Sequence, residues 1–540
     1  MSETSGSPSE FSRRKFLATG TAAAVVTLSP DAASAQSPTR FRRLNVTNPQ
    51  AAKSIESYKK AIRIMLSRQA SDPLNWYRNA LVHTLDCPHG NWWFLVWHRG
   101  YLGWFEEICR ELSGDPDFAM PYWDWTKEPR VPQAMFDDVL TPSDLAFTDT
   151  LGEFEYKFKD VVAQADYWKG GSPFNETGPY AQLLGRGLRY PDDLWFDIAK
   201  DPRPGFQMFF DRAHARGLTR AKPDFDDDTK KAVSLPMILD ALAPRDFVTF
   251  GSPKTFAHSA LTGFGVLESQ PHNLVHNCVG GEFTLGPDTT HAGGFMLNFL
   301  SPVDPIFFLH HANIDRLWDV WTRKQQARNY PTLPEGADLG RWQRERFLFF
   351  VDAKGNSVTK IRAGDYAAIG DFNYDYEPGS GEEVVPAPPV VAQVGAVQRF
   401  VAQLGPDGTE KKSGSVVLPA ALLAASPGSP RLFAKITLGL PPSAHAGNIT
   451  VVVDAPGDGP LTPSHTFKLS MFGHHTMQAP VTFTVPLAAP VTALRAANRI
   501  GANTLNIRVV QAPMVMPGGV LHEQGPAPDV EVLSIVVEAH

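Results

Sequence analysis

Histidine placement constrains this chain more than any other feature. Of its 16 histidines, seven fall in two windows: His83, His89 and His98 in one, and His272, His276, His310 and His311 in the other. His272 and His276 stand four residues apart, so on a helix their rings share one face about a turn apart and can share a metal. His310 or His311 adds a third imidazole from a separate helix. In the first window His98 sits behind the apolar run Trp92 to Trp97, where a lone histidine is ordinarily a packed core residue. His89 lies nine residues upstream in a Pro-Gly loop, and His83 six further back. Three imidazoles per window suggest two metal sites. All-imidazole ligation suits zinc, copper, iron or nickel. Paired zinc sites of hydrolases usually include carboxylates, and neither window offers an obvious one. Neutral ligands suit a metal that cycles through a low oxidation state. Two coppers facing each other can supply two electrons to dioxygen, so residue chemistry alone reaches a dicopper oxygen site.

The rest of the chain frames these windows. Ser12-Arg13-Arg14-Lys15-Phe16-Leu17, the apolar run Ala18 to Leu28 and Ala33-Ser34-Ala35 read as a leader over 1–35, similar to the twin-arginine type. That implies a bacterial protein exported to the periplasm or secreted. No other stretch reaches the ~18 apolar residues that span a bilayer, so no membrane partner is expected. Residues 40–376 mix helical periodicity with Pro- and Gly-rich loops. Helices are expected over Ala51–Ala70 (Ile55, Tyr58, Ile62 and Met65 at helical spacing) and over Asn91–Leu112. Others are expected around His272–His276, with Pro271 in the first turn, and over His311–Gln325 after Pro305. Residues 130–255 are loop-rich. Residues 377–395 have linker composition, and 396–540 hold β-type runs separated by turns, the pattern of a β-sandwich. The fold class is therefore a mainly α catalytic domain plus a C-terminal all-β domain. A hydrophobic fraction of 43% excludes a disordered chain, and a net charge of -7 gives no basis for nucleic-acid binding. Three cysteines cannot form a disulfide framework.

Three segments carry a resemblance. His98-Arg99-Gly100-Tyr101-Leu102, Pro121-Tyr122-Trp123-Asp124-Trp125, and Asp304-Pro-Ile-Phe-Phe-Leu-His-His-Ala-Asn-Ile-Asp-Arg-Leu-Trp318 resemble signatures of the tyrosinase, catechol oxidase and haemocyanin family, the type 3 copper proteins. The resemblance spans roughly residues 45 to 376 and, more loosely, the C-terminal region. It implies a four-helix bundle around two copper ions, one held by His83, His89 and His98, the other by His272, His276 and His311. It gives His310 a packing or supporting role and lets Asp315 orient a ligand ring through a hydrogen bond. It implies a thioether between Cys87 and His89, which leaves Cys109 and Cys278 free to pair in an oxidising compartment.

The implied reaction hydroxylates monophenols to o-diphenols and oxidises o-diphenols to o-quinones with dioxygen, making a phenolic small molecule and O₂ the partners. Glu268 and Asn273 match the family's pair that holds a proton-accepting water. Phe299 is a candidate gate above one copper, with Met296 a second candidate. Arg99 and Asp124 read as core salt-bridge residues. Tyr374-Asp375-Tyr376 resembles the motif that closes the catalytic domain. The C-terminal domain resembles a shield, so the chain is expected to be latent until a protease cuts between about 377 and 395. Phe472 is a candidate for the shielding residue, and His474-His475 reads as a solvated turn. A haemocyanin-like oxygen carrier and a zinc hydrolase remain alternatives, separated by phenol turnover and by metal analysis.

Overall fold

Large rings build the core that carries the helices: Trp76, Trp92, Trp93, Trp97, Trp123, Trp125, Trp318, Trp321 and Trp342 are all fully buried. The computed structural model describes residues 41–540 apart from 170–177, 200–205, 208–210, 285–290, 387–395, 406–411, 425–429, 441–448, 458, 472–479, 502, 512–513, 516–520 and 523–529. The leader over 1–35, Phe472 and His474-His475 lie outside the described residues. Residues 40–540 form one compact unit.

Four helices surround the histidines: Trp76–Asp86, Phe94–Ser113, Asn273–Gly280 and Ile306–Ala327. The helix expected over Ala51–Ala70 runs Ala52–Ser67 and packs its apolar stripe, Ile55, Tyr58, Ile62 and Met65, beside Phe94–Ser113. Asn75 caps Trp76–Asp86 by accepting from the Tyr77 and Arg78 amides. Hydrophobic periodicity did not reveal this helix. All of its residues except Arg78 are buried, so no polar face alternates with an apolar one. Gly114 ends Phe94–Ser113 in the left-handed region, at φ +69°, where only glycine is unstrained. The Phe105 and Phe308 rings stack 3.5 Å apart and join the second and fourth helices.

One helix start differs from expectation. Pro271 does not open a helix. Glu268–His272 form a π-turn that contains Pro271 and continues into Asn273–Gly280. Proline has no N–H for the helical ladder. The turn widens there, and the Asn273 N–H reaches the Glu268 carbonyl five residues back. Residues 130–255, loop-rich in sequence, hold several short helices, among them Leu151–Ala163, Pro179–Gly185 and Leu235–Ala241.

The C-terminal region forms two five-stranded sheets around one apolar core. One sheet has the order Gly263–Phe264, Val481–Pro486, Leu432–Gly439, Glu531–Ala539, Gln398–Val401. The other runs Thr466–Leu469, Ile449–Asp454, Thr504–Gln511, Ser413–Val417, Gln403–Leu404. Ile436 stands opposite both Phe483 and Ile535 in the centre of the first sheet. The edge strand Gly263–Phe264 comes from the helical half of the chain and pairs in parallel with Thr482 and Phe483. The β region is thus stitched to the chain segment that leads into Glu268 and His272.

A second stitch closes the helical half. Phe41–Arg43 pairs in parallel with Tyr374–Tyr376, the motif at its end. Arg43 is fully buried, donates to Glu106 at 2.8 Å and lies over the Tyr374 ring.

Candidate metal centre

All seven histidines of the two windows are buried. His83 projects from Trp76–Asp86, His98 from Phe94–Ser113, His272 and His276 from the π-turn and its helix, and His310 and His311 from Ile306–Ala327. His89 stands in the loop between the first two helices. Donor atoms of His272, His276, His310 and His311 lie within 4.8 Å of one another, as do those of His83, Cys87 and His89. His98 joins the first group with its Nε2 3.3 Å from that of His83. The two groups abut: the His98 and His311 rings stack 4.2 Å apart.

The orientation of the rings is set from behind. His83 Nδ1 lies 2.8 Å from the Phe299 carbonyl, His98 Nδ1 2.7 Å from the Phe94 carbonyl, and His276 Nδ1 2.8 Å from the Met296 carbonyl. A carbonyl oxygen only accepts, so each of these Nδ1 atoms carries the proton and each neutral ring presents a bare Nε2 lone pair. The Nε2 atoms of His83 and His98 then face each other at 3.3 Å as two acceptors, an arrangement that calls for a cation between them. In the other group the bare Nε2 of His276 lies 3.2 Å from Nε2 of His311, whose Nδ1 has no hydrogen-bond partner among the described residues. Burial, and after it the mutual repulsion of the imidazoles, holds His83, His272, His276 and His311 well below the ordinary histidine range; burial takes His98 down to about 3. Neutral, desolvated and converging nitrogen donors are what a copper pair requires, and the donor set fits it.

The remaining candidates fall around this core. Cys87 Sγ stands 3.3 Å from His89 Nδ1. All three cysteines are free thiols, so Cys109 and Cys278 do not pair. His310 stacks near Trp125 and His272, and neither of its nitrogens has a hydrogen-bond partner. Phe299 lies over the first group, its ring 5.8 Å from His89 and 6.1 Å from His83. Met296 contributes its backbone carbonyl to His276. Glu268 sits one π-turn before Asn273. Its carboxylate accepts from the Gly90 amide at 2.8 Å and from the Ser252 hydroxyl, and burial pushes it up to about 8. Gly90 adopts φ +62°, and a Cβ there would run into Leu261. Asn273 accepts at Oδ1 from His272 Nδ1 (2.9 Å) and donates from Nδ2 to the Ser470 carbonyl (2.7 Å).

Asp315 departs from expectation. Its carboxylate touches no imidazole. It accepts from Arg99 Nε at 2.6 Å, Arg43 at 3.2 Å, and the Tyr374 and Tyr376 hydroxyls at 2.5 and 2.6 Å. Burial alone would raise its pKa, but the two arginines and then the tyrosines hold it below the usual carboxylate range. Arg99 therefore does serve a core ion pair. Asp124 accepts from the Ser380 amide and hydroxyl, with Lys127 at 3.7 Å. Sequence reasoning missed the supporting atoms. Three are backbone carbonyls and carry no side-chain signal. Ser252 is one serine among many, brought to Glu268 by the fold.

The profile described as the common central domain of tyrosinase matches residues 55–324, half of the chain. The chain belongs to the tyrosinase family. That family carries a dinuclear copper centre, and its enzymes are oxidoreductases. Among curated relatives, the chloroplastic polyphenol oxidase of Spinacia oleracea is 26% identical over 348 residues, covering 60% of this chain and 45% of the spinach protein. Tyrosinase HcTyr1 of Hahella sp. (strain CCB-MM4) is 26% identical over 361 residues, covering 59% of this chain and 60% of that one. The match thus spans about half the length of these relatives. Among solved structures, a latent aurone synthase superposes with a TM-score of 0.53 at 18% identity, over 93% of this chain and 91% of that chain. Latent apple tyrosinase does so with a TM-score of 0.52 at 17% identity, over 92% and 98%. These likenesses show a shared fold, with a helical core and a C-terminal β region. Among the described residues no helix is long and apolar enough to cross a membrane.

Proposed function

We propose that this member of the tyrosinase family is a copper-dependent phenol oxidase that hydroxylates monophenols to o-diphenols and oxidises o-diphenols to o-quinones with dioxygen. The observation that carries the proposal is the pair of opposed Nε2 acceptors of His83 and His98, each fixed from behind by a backbone carbonyl, with His276, fixed in the same way, facing His311 in the second group. His83, His89 and His98 hold one copper, and His272, His276 and His311 the other. When bound, the copper pair supplies two-electron redox chemistry toward dioxygen and a template for the phenol oxygen. A thioether from Cys87 to His89 would lock that ring, and the short approach of its sulfur supports it.

The protein's own residues handle the proton. A phenol ordinarily ionises near pH ~10. Glu268, raised to about 8 by burial, is a base matched to that acid far better than a solvated carboxylate. Asn273 fixes His272, and its amide nitrogen is held by Ser470 of the β region. Ser269 donates to the Thr484 carbonyl, and Asn277 to the Ser470 hydroxyl. These grips on the π-turn and its helix support a latent chain in which the β region, reached through the 377–395 linker, covers the site. Its departure would free the Asn273 amide for a water beside Glu268. The 1–35 leader fits export by the twin-arginine route to the periplasm or beyond.

The test is copper loading followed by oxygen uptake with a monophenol and a diphenol, before and after limited proteolysis. Quinone formation that rises after cleavage is expected. Reversible oxygen binding without quinone would overturn the proposal in favour of an oxygen carrier.

A further inference from the structure

The rim of the first histidine group points to a class of phenol. Arg186 follows the Pro179–Gly185 helix. It donates from Nη1 to the Cys87 carbonyl at 2.7 Å, and its guanidinium carbon stands 5.1 Å from the centre of the Phe299 ring. That ring is in turn 5.8 Å from His89. The side chain is half-buried and tethered at one nitrogen, so its cation is held in place rather than swinging in solvent.

Its electrostatic situation is unusual for this protein. The deeply buried arginines are neutralised: Arg43 by Glu106, Arg99 by Asp315, Arg216 by Asp304. Among the described residues no carboxylate lies within ion-pair distance of Arg186. The nearby acids are engaged elsewhere: Asp86 with Trp97 and His258, Glu268 with Gly90 and Ser252. A partly desolvated guanidinium without a counter-ion, beside an aromatic wall, favours a ligand that is itself aromatic and anionic.

We infer that the substrate is a phenol bearing a carboxylate at the end remote from its hydroxyl. The carboxylate docks on Arg186 while Phe299 flanks the ring. This rests on the phenol-oxidase reading and specifies its substrate class.

The copper-loaded full chain is assayed with 3-(4-hydroxyphenyl)propionate and with its methyl ester. Their kcat/KM ratio is taken on a single preparation, so any attenuation by the β region cancels. The acid should be preferred by about tenfold, mainly through KM, as expected for one charge-assisted contact. The preference should fall with added salt, collapse in Arg186→Met and partly survive in Arg186→Lys. Equal kcat/KM for acid and ester, inhibition by the acid without oxidation, or a preference retained in Arg186→Met overturns the inference. Should Arg186→Met fail to fold, the salt series on the parent decides: a preference insensitive to salt overturns it. Quinone from neither compound, before or after limited proteolysis, overturns instead the phenol-oxidase reading beneath it.

Discussion

Replacing Asp315 by Asn tests how the helical half is held shut. The carboxylate receives four donors, from Arg99, Arg43, Tyr374 and Tyr376, and is 4% exposed. In the parent, Arg43 and Arg99 are balanced by Asp315 and Glu106. Asn keeps the shape but leaves a buried positive charge uncompensated. Breaking one side of a buried pair costs about 3–5 kcal/mol. Tyr376→Phe removes two hydrogen bonds to charged groups, one donated to Asp315 and one accepted from Arg43, at roughly 1.5–3 kcal/mol each. Asp315→Asn takes the charge from the Tyr376–Asp315 hydrogen bond that Tyr376→Phe deletes, so the double variant should cost at least about 1 kcal/mol less than the sum. Urea unfolding of the full chain, read as a midpoint shift at constant slope, measures all three. An Asp315→Asn variant within about 0.5 kcal/mol of the parent, where ordinary surface substitutions fall, would refute the charge-balance reasoning. So would strict additivity.

Three further outcomes follow from the site. Burial alone would lower the pKa of His258, but Asp86 and Glu345 beside its ring nitrogens raise it to about 10. Its stabilisation is complete below the unfolded value of ~6.5 and is lost as pH rises through about 10. It is worth no more than about 5 kcal/mol, and His258→Gln should flatten the pH dependence of urea midpoints over that window. Glu268 is raised to about 8, so monophenol turnover relative to diphenol turnover should rise with pH to an inflection no higher than that, because two bound cations favour the carboxylate. Glu268→Gln should abolish the inflection in kcat/KM profiles. Finally, chelation should remove about two coppers per chain and abolish turnover, whereas His276→Ala should retain about one by metal analysis, since three neutral nitrogens at the other site are untouched.

The histidine cluster was legible in the sequence because imidazoles have few uses, and their spacing in each window matches one helical face or one loop. The β runs were legible either because buried and half-buried positions alternate, as from Ala434 to Gly439, or because a fully buried strand reads as a short β-branched run, as in Ile449–Asp454. The Trp76–Asp86 helix was not, because burial on nearly every side erased its periodicity. Nor was the π-turn: Pro271 reads as a helix start wherever it precedes a helix, and only the chain arriving through Gly263–Phe264 turns it into an interior residue.

What the sequence determined by itself was the chemistry available: seven imidazoles, one carboxylate four residues before a histidine, and a tyrosine motif at the end of the helical half. What tertiary structure decided was which atoms those groups meet. Asp315 stands one helical turn beyond His311, where spacing alone would allow it to serve that ring, yet packing turns it toward Arg43, Arg99 and two tyrosines. Phe299, Phe94 and Met296 orient three imidazoles through carbonyls that every residue possesses. Such bonds depend on where the backbone passes, a property of the folded chain as a whole, and no residue type encodes it.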